Sequence, residues 1–132
     1  MARTLTYTLR FDGEAVALGP GRLWAECRSP GGILGSDGAV CRREVRVEDD
    51  GSCSYAGEIR FGNRDALTFR ALGTIGAGPE PNLRPGTALC EVTGGRGRLA
   101  GATGSIASQF LLADGGSLTD HQLGLLFLKE VQ

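Results

Sequence analysis

Few side chains in this sequence have the type and spacing that organise a reacting centre. The single histidine, His121, follows Asp120, and such a pair can make a general base. The same two residues suit a surface or an interface equally well. Cys90 would need a basic neighbour to act as a nucleophile, and no histidine lies near it in sequence. The four cysteines, at 27, 41, 53 and 90, lack short metal-type spacing, and one histidine cannot complete a usual zinc set. Gly95-x-Gly97-x-x-Ala100 superficially matches a dinucleotide fingerprint, which must open a helix. The stretch that follows, Ser105 to Phe110, alternates like a strand instead, and no GxxxxGK[ST] loop exists. Neither metal nor nucleotide is expected, so the reading is of a protein without cofactors.

What remains is a chemistry of walls and hydrogen-bond donors. Tyr55 offers a phenol that can stack on an unsaturated ligand and donate to a carbonyl. Trp24 and Glu26 share one face of a short segment, with Leu23, Ala25 and Cys27 on the other. Period alone leaves open which face turns inward. If it is theirs, Trp24 is a stacking wall and Glu26 an acid, base or charge stabiliser. If it is not, Glu26 is a solvated partner of a neighbouring arginine. Phe69, Cys90, Ile106, Ser108 and Phe110 are candidates for lining an apolar pocket, and each is equally suited to plain core.

These residues have to be positioned by strands. Twenty-two glycines in 132 residues are about 17%, against a usual ~7%, with no collagen period. Asp-Gly pairs at 12–13, 37–38, 50–51 and 114–115 separate segments of alternating polarity, the pattern of tight hairpins. Eight strands follow, at about 4–11, 21–28, 33–48, 53–61, 66–75, 86–93, 103–112 and 117–128. Asp37-Gly38 interrupts the third as a turn or a bulge. The tail from His121 to Val131 fits a strand or a marginal helix. Gly78 to Gly86, with three prolines, reads as a stiff loop over one barrel mouth or as an ordinary connection. The expected fold is all-β, a single domain over 1–132 closed as an eight-stranded antiparallel barrel. Closure removes strand edges and leaves room for a small ligand.

The segment Val92-Thr93-Gly94-Gly95-Arg96-Gly97-Arg98-Leu99-Ala100-Gly101-Ala102-Thr103-Gly104 resembles a glycine-rich turn of allene oxide cyclase-like and dirigent-like β-barrels. Upstream, Gly32-Ile33-Leu34-Gly35, the strand from Val40 to Val47, the Asp50-Gly51 turn and Tyr55 to Phe61 resemble, in order and spacing, the small bacterial spirotetronate cyclases. The resemblance spans roughly residues 20–128. It implies a barrel open at one end that folds a flexible polyunsaturated chain and promotes ring closure, most readily a [4+2] cycloaddition in natural-product biosynthesis. It also implies a lumen position for Tyr55 and for the face Ile106, Ser108, Phe110 and Leu112. Ser108 departs from the large aromatic of the related cyclases, so a differently shaped pocket is expected. On this reading Tyr55 and Glu26 are catalytic, and Trp24, Phe69, Cys90, Ile106, Ser108 and Phe110 bind substrate. The alternatives are a non-catalytic barrel that binds or carries an apolar metabolite, and a structural module whose barrel is filled.

Composition sets the remaining expectations. Fourteen Lys/Arg against fifteen Asp/Glu give a net charge of -1, which argues against a nucleic-acid partner. No apolar run approaches the ~18 residues of a membrane span, and no signal-peptide pattern opens the chain. A cytoplasmic protein with a small apolar ligand is expected. Apolar outward positions around 123–128 predict a homo-oligomer, a dimer or trimer.

Overall fold

The computed structural model describes residues 2–129, and their alternation closes into one sheet. Eight strands run in order: β1 (Ala2–Gly19), β2 (Arg22–Ser29), β3 (Ala39–Val47), β4 (Ser52–Phe61), β5 (Asp65–Ile75), β6 (Leu83–Arg96), β7 (Thr103–Ala113) and β8 (Ser117–Lys129). Each pairs antiparallel with the next, and β8 returns to β1, so the sheet is a closed barrel. The expected fold class holds. No helix among the described residues is long and apolar enough to cross a membrane.

Two of the four Asp-Gly pairs make hairpin turns, at 50–51 and 114–115. Asp37-Gly38 ends a loop of residues 30–38, so the third strand starts at Ala39 and not at 33. Asp12-Gly13 is no turn at all. Asp12, Gly13 and Glu14 pair with β8 on one side and with β2 on the other. Here β1 passes between two partners, which is why it runs eighteen residues where a shorter strand was expected. The tail is strand to Lys129, since alternate residues from Leu118 to Leu128 must face the lumen. Val131 lies outside the described residues.

The inner face is a packed core, with Phe11, Phe61, Ile59, Leu67, Ile106 and Leu126 almost fully buried. The two ends of the barrel differ. At one, a 3-10 turn (Gly97–Leu99) inserts Leu99 and Ala102 beneath the loop of residues 30–38, whose Ile33 is also buried. Asp65 holds this plug: its Oδ1 accepts the Arg98 backbone N–H at 2.8 Å, and its Oδ2 accepts Arg98 Nη2 at 2.7 Å. Arg98 Nη2 also donates to the Leu34 carbonyl at 3.0 Å, tying turn to loop. Gly97 is required here. Its φ is +67°, and a Cβ would overlap the Arg64 carbonyl oxygen and sit 2.6 Å from Asp65 Oδ1. The glycine-rich segment is therefore a stopper. At the other end the β3–β4, β5–β6 and β7–β8 connections surround a rim of half-buried apolar side chains.

Candidate functional site

The lumen is apolar except for one cluster. Arg43, from the middle of β3, stands in a row of inward residues that otherwise reads Ala39, Cys41, Val45 and Val47. It is 3% exposed, and Asp120 on β8 is 0% exposed; Arg43 Nη2 lies 2.8 Å from Asp120 Oδ2. Such a pair, taken fully out of water, survives only where hydrogen bonds satisfy it. Asp120 is satisfied: Ser108 Oγ donates to Oδ1 at 2.5 Å and Gln122 Nε2 to Oδ2 at 3.0 Å. Tyr7 donates to Gln122 Oε1 at 3.0 Å and so fixes the amide. Arg43 is not. Its Nε and Nη2 have no well-directed acceptor, because the approach of Nη2 to Asp120 is out of line with its N–H bonds.

Tyr55 on β4 faces this cluster. The Arg43 guanidinium lies over its ring, 5.2 Å from the centroid, a cation–π contact. Phe69 on β5 meets the ring edge-on at 6.0 Å, and the hydroxyl lies 3.6 Å from Cys90 Sγ. Burial raises the Tyr55 and Tyr7 phenols well above their ordinary range. It also pushes the Cys41 thiol up to about 12 and the Cys90 thiol up to about 11. At neutral pH all four are protonated. They are donors and walls, and Cys90 is no thiolate nucleophile.

Just beneath the open rim a cavity of about 30 Å³ is lined by Leu23, Val45, Tyr55, Phe110, Leu118 and Arg43, among others. That is space for roughly two water molecules. Arg43 is the only charged residue among those that line it. Phe110 narrows it, its ring lying where Gly86 has no side chain and where a Cβ would collide with it. The rim residues Leu23, Val45, Phe110 and Leu112 are only half-buried. A larger concavity, about 910 Å³, is elsewhere: an open depression on the outer face over Ser54 and Ala56. Of the arginines that line it, Arg22 and Arg70 are paired with Glu44 and Glu91 in solvent.

The expected wall residues Tyr55, Phe69, Cys90, Ile106, Ser108 and Phe110 all face the lumen. Trp24 and Glu26 do not. Ala25 and Cys27 take the inner face of β2, leaving Trp24 40% exposed outside and Glu26 in ion pairs with Arg28 at 3.1 Å and Arg42 at 3.3 Å. Lumen roles for these two are thereby corrected: the barrel interior around Arg43 needs the small side chains. His121 also faces out. Sequence reasoning missed Arg43, Gln122 and Tyr7, and took Asp120 only as a companion of His121. The signal available was the lone charge of Arg43 in an otherwise apolar alternate row.

The strands form a closed eight-stranded antiparallel meander, stoppered at one end and opening over a buried polar cluster at the other. A solved structure of the same fold is that of the pterocarpan synthase dirigent protein GePTS1, with a TM-score of 0.71 over 98% of this chain and 90% of that chain. The two share 13% sequence identity, so the likeness is one of fold. No family model matches the chain, and no curated protein matches it in sequence.

Proposed function

We propose that the barrel admits a flexible, largely apolar substrate through its open end and promotes intramolecular ring closure without a cofactor. A [4+2] cycloaddition of a linear polyketide-like chain in natural-product biosynthesis is the leading reaction. The observation that carries this reading is the polar cluster of Arg43, Asp120 and Tyr55 lying under an apolar rim, at the one end that is not stoppered. Holding the two ends of one chain in a near-attack geometry can supply about 7–11 kcal/mol of a barrier. A donor aimed at an activating carbonyl adds to that by stabilising developing charge. The fold neighbour bears a synthase's name, in keeping with ring-forming or coupling chemistry inside such a barrel.

The test is the cyclisation rate and stereochemistry of linear conjugated precursors with and without the protein. A faster rate, or a single stereoisomer, supports the reading. In the Tyr55→Phe variant a cyclase that uses the hydroxyl loses rate while binding is retained. The small cavity favours one second reading, a barrel that binds or carries an apolar metabolite and does no chemistry. Saturable binding with unchanged cyclisation would select it.

We further propose self-association through the outer face of β5 to β8. Leu72, Leu89, Ala107 and Leu123 form one cross-strand row, flanked by Leu125 and Phe127. All of these but Ala107 are large apolar side chains in contact with solvent. Sedimentation should show a dimer or trimer that Leu123→Arg converts to monomer.

A further inference from the structure

We propose that Arg43 is the group that receives the substrate's polar end, and that this end is a neutral carbonyl (a ketone, ester or amide) and not a carboxylate or an amine. The proposal rests on the lumen being a substrate site and names the chemical class it takes.

Charge decides between the classes. The buried charged residues among those described are Arg43, Asp65 and Asp120. Asp65 belongs to the stopper, where Arg98 neutralises it. In the lumen itself Arg43 and Asp120 cancel. A carboxylate entering this space leaves it with a net negative charge, and an amine with a net positive one. Neither has a free counter-ion within the apolar wall. What the lumen lacks is not charge but an acceptor.

The unmet donors are specific. Nε and Nη2 form one edge of a guanidinium, the edge that makes a side-on fork. In Arg98 that edge is fully used, with Nε and Nη2 donating to Asp65 Oδ2 at 3.2 and 2.7 Å. In Arg43 neither atom makes an aligned hydrogen bond, and Nη2 meets Asp120 Oδ2 at 2.8 Å only as an ion-pair contact. Asp120 stays close to Nη2 but does not reach Nε, and Ser108 and Gln122 hold its two oxygens while Tyr7 holds Gln122. The guanidinium is seated over Tyr55, and Arg43 is among the residues that line the cavity beneath the rim. A carbonyl oxygen that reaches the unmet Nε–H accepts from this edge while the attached chain lies among Leu23, Val45 and Phe110. A donor of fixed position and full positive charge then draws electron density from the carbonyl, the polarisation an activated ring closure needs.

The test uses the intact protein and three linear probes of equal length: a ¹³C-labelled methyl ketone, an alkene and a carboxylate. Calorimetry should show the ketone binding at least about tenfold more tightly than either other probe, the value of one hydrogen bond to a charged donor. The infrared carbonyl stretch of the bound ketone should move to lower wavenumber. Arg43→Met should abolish the preference and the shift and still bind the alkene. Because that change strands Asp120, Arg43→Met/Asp120→Leu provides a second background in which both charges are gone. Equal binding of ketone and alkene, with no infrared shift, overturns the role of Arg43 and leaves the lumen reading standing. Tightest binding of the carboxylate overturns the neutral class. No binding of any probe overturns both.

Discussion

The two ends of this barrel are built from the same alternating strands, and they are finished in opposite ways. At the stoppered end the large side chains Phe61, Leu99 and Leu126 are essentially inaccessible, and the Asp65–Arg98 fork locks turn to loop. At the open end the apolar side chains are half-buried, and the charged group behind them has donors to spare. A domain gains stability by completing its packing and satisfying its polar groups. The stoppered end goes further in both, although Ser36 Oγ in its loop lacks a partner, and the open end leaves its one charged donor group less well met. That asymmetry places stability and binding at opposite ends of the same sheet.

Matched truncations at the two ends test this most strongly. Phe61→Ala empties a closed site that cannot refill from solvent, and should cost about 3–5 kcal/mol in urea unfolding. Phe110→Ala removes a ring of the same size from the rim, where water or a ligand takes its place. It should cost about 1–2 kcal/mol and increase the uptake of an apolar dye. Equal losses at the two positions would mean that the open end is as much a part of the core as the stopper is.

Backbone comes next in size. Gly97→Ala forces a side chain onto a residue with φ of +67° and against the Arg64 carbonyl. A loss of about 2–3 kcal/mol is expected. Binding at the open end should survive at temperatures where the variant remains folded. If ligand affinity falls with stability, the two ends are coupled and the comparison fails.

The stopper should also show its charge. The Arg98 hydrogen bonds beside Asp65 hold that carboxyl below the usual range. A group whose folded pKa is depressed stabilises the fold above its unfolded pKa, near pH 4, and loses that contribution as pH falls through the folded value. Asp65→Asn should therefore cost about 1–2 kcal/mol at pH 7, discounted because Arg98 is largely exposed. The gap between wild type and variant should close as the pH drops below 4. A gap constant with pH would show that the fork contributes by shape alone.

The strands were legible because alternation marks a half-buried sheet, and the faces of β4, β5, β6 and β7 followed from it. The faces of β2 and β8 were harder to read, for a common reason. A narrow lumen that holds Arg43, Tyr7, Tyr55 and Phe69 must place small or polar residues opposite them. On β2 the inner pair is Ala25 and Cys27, while the large aromatic Trp24 lies outside. On β8 the inner row contains Asp120, Gln122 and Gly124, and the outer row contains Leu123, Leu125 and Phe127. Apolar size therefore points the wrong way on both strands. Asp12-Gly13 misled for a different reason: the dipeptide favours a turn, but pairing with two neighbours overrides it.

The smallest effects belong outside the barrel. Glu26→Ala removes ion pairs with Arg28 and Arg42 whose members are all well exposed, and should change stability by less than about 0.5 kcal/mol. Trp24 sharpens the point, because it sits beside Glu44 and Val16 on the outer surface. Its emission should stay constant while a lumen ligand saturates, although Tyr55 stands in the ligand's path. Because Trp24 is the only tryptophan, the signal is unambiguous. A saturable change in its emission, at concentrations where sedimentation shows no change in assembly, would mean that ligand touches the outer face of β2. The polar cluster under the rim would then no longer be the site.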